Sequence, residues 1–414
     1  MHSHKALLAI FGVFFFESSV LGQWIPRIPD IKSALNLTDG TLGIAMLMMP
    51  LGTLFGFSIA GRVIEQTGLR NACRLFLPAW ALLFVGPALA QSLVQLCIAM
   101  VLSGLAVGMT ETAMNTEAAR LENVAGKRLM SRCHGFWSLG TMFGALIGGA
   151  LAQAGYSVVE HFLVVMPVIA LCGYAAATAL PILGKGADPA VAVLSTAVVR
   201  DEATARLDEP VDSTAVEINP ATDIFRLPSR AIVLLCLMPI GIMMVEGAFI
   251  DWSAVFMRDV LAAGPWVIAV TYSSFSLIMA SVRLAGDTIT TNFGEMTVVR
   301  VSGLASCAGV ALFALSPSIP WAFLGAALSG AGVAIVFPLA VSAAANRPGR
   351  CAADNVAALN MISFSAFLVA PPVIGFMSEA FGLRIALLGL APIAFLTFLL
   401  SSEVSGQRHQ ISIR

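Results

Sequence analysis

Apolar residues follow neither a strand nor a clean helical period along this chain. They come in runs of about 20, the length that carries an α-helix across a bilayer. Twelve runs are separated by polar breaks: 6–24, 40–62, 72–90, 93–117, 131–153, 161–183, 231–251, 266–288, 297–315, 321–345, 355–379 and 384–402. Each is apolar all round, as expected of a helix whose every face meets lipid or another helix. The pattern predicts an all-α membrane protein of twelve transmembrane helices. Lys5 precedes the first run as in a signal peptide, yet the run stays apolar to Trp24 without a small-residue cleavage site and similar runs follow. It is therefore expected to be retained.

One long break divides the series. Residues 184–230 are rich in Ala, Thr, Asp, Glu and Pro and poor in aromatics, and read as a largely disordered cytoplasmic linker. The expected organisation is a six-helix bundle over 1–183, the linker, a second six-helix bundle over 231–402 and a cytoplasmic tail over 403–414. Charge sets the orientation. If the N-terminus is cytoplasmic, only Arg27, Lys32, Arg258 and Arg384 of the 23 basic residues fall away from cytoplasmic segments. That bias of about fivefold has the sign of the positive-inside rule, so both termini are expected in the cytoplasm.

Composition narrows the function. The chain is 58% hydrophobic and 11% charged, against about a quarter charged in a soluble domain, which excludes a water-soluble enzyme. A net charge of −1 gives no field for nucleic acid. The seven cysteines, at 73, 97, 133, 172, 236, 307 and 351, form no CxxC and no Cys–His cluster, so free thiols are expected and no metal or cofactor. Histidines at 2, 4, 134, 161 and 409 supply no catalytic constellation, and no phosphate-binding GxxxxGK(S/T) loop is present.

The halves resemble one another. At an offset of 226 residues Gly68 meets Gly294, Arg74 meets Arg300 and Gly149 meets Gly375, and the small-residue run from Gly140 to Gly149 aligns with Ala366 to Gly375. Duplicated units of this kind mark secondary transporters, with the solute site between the halves near mid-membrane.

Between the second and third runs stands Gly61-Arg62-Val63-Ile64-Glu65-Gln66-Thr67-Gly68-Leu69-Arg70. It resembles the loop signature GxxxD(R/K)xGxR of the major facilitator superfamily. Gly61, Glu65, Gly68 and Arg70 would form a conformational latch, with Glu65 pairing an arginine or a helix N-terminus. Gln66 replaces the usual base, and in the second copy Thr291 takes the acidic place while Asp287 lies one turn earlier, so an asymmetric latch is expected. Three further segments sharpen the resemblance: Trp24-Ile-Pro-Arg-Ile-Pro-Asp-Ile-Lys32, Glu111-Thr-Ala-Met-Asn115 and His134-Gly-Phe-Trp-Ser-Leu-Gly140. With Glu246-Gly-Ala and Asp251-Trp-Ser they are similar to the MosC/YbjJ-like branch, which is related to the fucose permease group. The resemblance implies the major facilitator fold, a sugar- or polyol-like solute, inositol derivatives included, and proton coupling through Glu111.

Three carboxylates lie well inside apolar runs: Glu17, Glu111 and Glu246. A charge at such depth costs several kcal/mol unless it faces a cavity, pairs or is protonated. Gly104, Gly108, Glu111 and Asn115 share one helical face, leaving room beside the carboxyl group and an amide one turn on. Glu17 stands about 18 Å into the first helix, near the midplane. Glu17 and Glu111 are the expected proton-coupling pair. Asn115, His134, Trp137, Glu246, Asp251, Tyr272 and Asn360 are the solute-site candidates; His134 also suits a proton relay, and Asp251 with Trp252 an interface anchor. The glycine run Gly140–Gly149 resembles the GxxxGPxxGG signature of drug exporters, with Ala145 in place of the proline, and serves equally for close helix packing. The expected protein is a monomeric symporter of the inner (plasma) membrane whose partners are a small solute, protons and lipid. A proton-driven exporter and a non-transporting sensor are the alternatives.

Overall fold

The structure, a computed structural model, describes residues 2–125, 129–181, 230–347 and 352–405. The expected linker lies outside the described residues, as do Cys351 and the tail beyond 405. The described residues form helices and the turns between them, with no strand. Eleven helices are long and apolar enough to cross a membrane: Lys5–Ala34, Asp39–Thr67, Leu69–Leu89, Leu93–Glu122, Met130–Gln153, Val158–Thr178, Ile232–Asp259, Pro265–Phe293, Glu295–Ala314, Ile319–Ala345 and Ala358–Phe381. They are numbered here as helices 1 to 11. Helix 12, Leu383–Leu399, is shorter and is interrupted at Gly389.

Several elements outrun the apolar pattern that predicts them. Helix 1 does not stop at Trp24 but turns through Ile25–Arg27 into Ile28–Ala34, because Pro26 and Pro29 sit in first-turn positions where no backbone donor is needed. The helix containing Glu111 continues to Ala125, which places Glu117 and Arg120 inside it. Helix 2 extends to Thr67 and ends at Gly68, which also starts helix 3. Gly68 has φ +80°, and Gly294, its counterpart at the 226 offset, has φ +78° between helices 8 and 9. Only glycine adopts that backbone without strain. Thr38 caps helix 2, and Ser157 with Glu160 forms a capping box on helix 6.

The packing repeats as the sequence does. Helix 1 lies on 5, 2 on 4 and 3 on 6; in the second half 7 lies on 11, 8 on 10 and 9 on 12. The halves meet along helices 5 and 8 and along helices 2 and 11, which are again counterparts. The correspondence holds at atomic detail. A Cβ on Gly104 would stand 2.1 Å from the Met49 carbonyl oxygen, and one on Gly330 would stand 2.2 Å from that of Phe275. Both residues of the second contact lie 226 positions after those of the first. The six described cysteines are unpaired, as expected.

These contacts give a packing prediction. Gly104→Val forces helices 2 and 4 apart and is expected to cost about 1–3 kcal/mol. Gly61→Ala, where nothing lies within 4 Å of the added atom, is expected to be neutral or to stabilise by up to about 1 kcal/mol through helix propensity. Thermal unfolding of the purified protein in detergent separates the two; equal melting temperatures would contradict the close approach.

Candidate functional site: a polar cluster between the two halves

Glu17 is buried near the middle of helix 1, and the structure gives its carboxylate one donor, the Trp137 indole Nε1 on helix 5, at 2.8 Å. Trp80 of helix 3 donates to the Glu17 carbonyl oxygen at 3.1 Å. Two indoles thus clamp one residue, the first holding its charge and the second its backbone. Glu111, on helix 4, stands within electrostatic reach of Glu17. It is half-buried, and its carboxyl group has no hydrogen-bond or ion-pair partner among the described residues. Asn115 does not steady that carboxyl group: its amide donates to the Glu111 carbonyl oxygen at 2.9 Å, closing a turn of its own helix.

In the second half Glu246 is not free. Arg283 of helix 8 reaches both its oxygens, at 3.1 and 3.4 Å. The same guanidinium donates to the Ala334 carbonyl of helix 10 at 3.2 Å and to the Ser138 hydroxyl of helix 5 at 3.2 Å. Arg283 therefore ties helices 7 and 10 of its own half to helix 5 of the other. Ser138 follows Trp137, so consecutive residues of helix 5 contact the acid of the first half and the ion pair of the second. A polar seam continues along helices 5 and 8: the Ser276 hydroxyl donates to the Ser138 carbonyl at 2.7 Å and lies 2.9 Å from the Thr141 hydroxyl. The Tyr272 hydroxyl is buried beside Thr141 and Ser276.

The other expected residues scatter. His134 packs edge-on against Phe14, with ring centroids 5.6 Å apart, rather than beside a carboxylate. Asp251 is half-buried without a partner among the described residues. Trp252 is fully buried in the protein, so it is no interface anchor. Asn360 is half-buried near the start of helix 11. In the loop motif Glu65 is exposed and makes no ion pair among the described residues, while Arg70 donates to the Thr178 carbonyl oxygen. Just after the motif, Arg74 reaches the Tyr174 hydroxyl of helix 6, and its counterpart Arg300 reaches the Ser401 hydroxyl in the turn that follows helix 12. Asp287 is exposed, and Thr291 donates to its carbonyl oxygen at 2.7 Å.

Three polar elements escape the sequence reading. Arg283 counts with the cytoplasmic basic residues by position, yet it lies inside the bundle; its signal was an arginine within an apolar run. Glu117 is buried and held by Arg120, three residues on, whose Nε and Nη2 donate to its two oxygens at 2.8 and 2.6 Å. Arg27, His161 and Gln23 form a buried chain, with Arg27 Nε donating to His161 Nδ1 at 3.1 Å and His161 Nε2 lying 2.7 Å from Gln23 Oε1.

A fold of paired six-helix groups around intramembrane carboxylates invites comparison with known transporters. The family model described as Major Facilitator Superfamily matches residues 6–369. The chain belongs to the major facilitator superfamily. It is a multi-pass membrane transporter and not an enzyme. Among relatives of this facilitator, the transporter y4wD of Sinorhizobium fredii is 30% identical over 374 residues, 90% of this chain and 91% of that one. The membrane protein MosC of Rhizobium meliloti is 28% identical over 386 residues, 92% of this chain and 86% of that one. The expected MosC-like affinity is thus present in sequence. Among solved structures, the nucleoside transporter NupG superposes with a TM-score of 0.71 at 13% identity, covering 96% of this chain and 98% of that one. A D-xylose–proton symporter gives 0.70 at 12% identity, covering 96% of each chain. At such identities the likeness to this facilitator is one of fold.

The Glu246–Arg283 pair predicts a stability pattern. Removing one partner leaves a buried charge, so Glu246→Leu or Arg283→Met alone is expected to cost about 3–5 kcal/mol, and the double variant markedly less than the sum. Thermal unfolding of the four proteins in detergent measures this; additive losses would show that the pair is not coupled.

Proposed function

We propose that this facilitator is a proton-coupled secondary transporter of a small polar solute of the sugar or polyol class. Its two six-helix halves, 1–183 and 231–402, would rock about the polar cluster, with both termini cytoplasmic in the inner (plasma) membrane of a monomeric protein. The observation that carries the reading is Glu111. It is an intramembrane carboxyl group without a hydrogen-bond or ion-pair partner among the described residues, within electrostatic reach of a second acid that has one. An unpaired acid at that depth is a functional group by default. Glu17 is tied to helix 5 through Trp137, so a change at the acids reaches that helix. Helix 5 carries the seam to the second half, so proton occupancy and the relation between halves are mechanically joined.

The solute class rests on the polar groups held within the bundle. Half-buried Glu111, Asn115, Asp251 and Asn360 offer acceptors and amides, and Arg283 is neutralised by Glu246. That arrangement suits hydroxyl groups and gives an anion little to bind. The fold of a D-xylose–proton symporter is compatible with both parts of the reading. The halves touch at the end bearing Lys32 and Asp259, which on the proposed topology faces outward.

In proteoliposomes an inward proton gradient is expected to drive accumulation of a hexose, deoxyhexose, inositol or amino-inositol. Glu111→Gln should abolish gradient-driven accumulation and spare solute exchange. Accumulation indifferent to the gradient would end the coupling proposal, and full accumulation by Glu111→Gln would remove Glu111 from it. A thermal shift across the same compounds identifies the ligand independently of transport, since binding raises apparent stability by mass action.

A further inference from the structure

At the end bearing Lys32 and Asp259 the halves are joined by contacts that are copies of one another, and the copies differ in charge. On one side the Glu379 carboxylate, at the end of helix 11, accepts the Gly40 backbone N–H at the start of helix 2, at 3.0 Å. On the other side the Gln153 side-chain oxygen, at the end of helix 5, faces the Trp266 backbone N–H at the start of helix 8, at 3.5 Å. Gln153 and Trp266 are the counterparts of Glu379 and Gly40 at the 226 offset. The surroundings repeat too. A Cβ on Gly375 would meet the Asp39 carbonyl oxygen at 2.5 Å, and one on its counterpart Gly149 would meet that of Pro265, the counterpart of Asp39, at 3.1 Å. Asn36 and Ala262, again 226 apart, share a φ of +51° in the preceding turns.

Between the two copies lies an ion pair. Lys32 Nζ is 2.7 Å from Asp259 and 2.5 Å from Asp39, and Arg258 holds Asp259 at 2.7 Å. Lys32 and Asp259 are 227 residues apart, so they occupy matching places to within one residue. Two matching positions that touch one another lie beside the pseudo-twofold axis, midway between the copied contacts.

The copies are unequal for a physical reason. The first backbone N–H groups of a helix lack internal partners and carry a partial positive charge. A carboxylate there makes a charge-assisted bond about twice as strong as a neutral one, whereas an amide oxygen makes an ordinary one. The Glu379 side has a further tie, the Ser378 hydroxyl donating to Asp39. Its counterpart residues, Ala152 and Pro265, have no groups to make that bond. Along the rest of their length, helices 2 and 11 meet through apolar contacts such as Phe57 on Phe364, with ring centroids 6.4 Å apart, whereas helices 5 and 8 carry the Ser138–Ser276–Arg283 seam.

We infer that this end is a gate of two copied locks, and that Glu379, by charging only the lock between helices 2 and 11, sets the equilibrium between states closed and open at this end. The Gln153 lock is the weak copy, backed by the seam beneath it. Opening breaks Glu379–Gly40, Ser378–Asp39 and Lys32–Asp259 together, because all three join opposite halves. The inference requires two alternating states and is independent of solute identity and of proton coupling.

Spin labels at Gln91 and Ser318, exposed positions on loops of opposite halves at this end, report the opening in a background with its native cysteines replaced. Pulsed dipolar distances are measured in lipid nanodiscs without solute or gradient, so the result does not depend on the proposed transport reaction. Glu379→Gln is expected to raise the long-distance population about fivefold, the scale of a charge at a helix N-terminus. Adding Gln153→Glu moves the charge to the other lock and is expected to return the population to within about twofold of the parent. Ser378→Ala, a milder change in the same direction, keeps the test available if Glu379→Gln folds poorly. An unchanged distribution in Glu379→Gln or, should that protein not fold, in Ser378→Ala would overturn the inference. Failure of the exchanged pair to recover closure would overturn the equivalence of the two locks.

Discussion

Helices inside a bilayer gain nothing by leaving one apolar medium for another, so their association depends on how closely their backbones approach. That constraint governs this molecule. Gly52 and Gly104 bring helices 2 and 4 so near that a Cβ on either would stand 2.1 Å from a carbonyl oxygen of the other helix. Gly22 and Gly144 do the same for helices 1 and 5, with Cβ positions 2.4 and 2.5 Å from facing carbonyls. The second contact matters for chemistry, because it lies one to two turns from Glu17 and Trp137 and sets the spacing at which a carboxylate on helix 1 meets an indole on helix 5. Glycine packing is thus the frame within which a small number of polar groups can be held without water.

Much of the frame was legible before any coordinates. Long apolar runs gave the helices, and the 226 offset anticipated a symmetry that the structure repeats down to single contacts, Gly104 on Met49 and Gly330 on Phe275. Boundaries were less legible for a definable reason. Where polar residues lie on helix extensions, as Arg120 and Glu122 do beyond the fourth apolar run, composition falls before the hydrogen-bonded helix ends. Helix 12 shows the reverse: one apolar stretch that the backbone divides at Gly389.

The site was legible in its acids and not in their partners. Glu17, Glu111 and Glu246 stand out because an acid in an apolar run is costly. Nothing in the linear chain says that Glu246 is neutralised by an arginine 37 residues later while Glu111 is left alone. Arg283 was obscured by the rule that sets orientation: a basic residue near a helix end counts toward the cytoplasmic side whether it faces water or turns inward. His134 and Trp137 show the same limit. They lie three residues apart on one helix, yet one packs on a phenyl ring and the other binds a carboxylate. Which of two polar residues becomes functional depends on the helix across from it.

Symmetry and asymmetry divide the work. What duplicates is backbone: the glycine turns at 68 and 294, the close contacts, the helix N-termini that face the opposite half. What departs from duplication, Arg74 and Arg300 aside, includes much of the charge inside the bundle and at the helix ends. The unpaired acid Glu111 has its counterpart in Phe337, Arg283 in Phe57, and Glu379 in Gln153. A perfectly duplicated pair of halves would have equal affinity for a charge on either side and no preferred direction of motion about its axis. Substituting charges on one copy only, at positions the shared backbone already holds close together, biases such a frame without disturbing its packing. The seam of helices 5 and 8 binds the halves through the hydroxyl groups of Ser138, Thr141 and Ser276, which need no ionisation, with Arg283 as its charged end, whereas at the end bearing Lys32 and Asp259 ionisable groups join the halves.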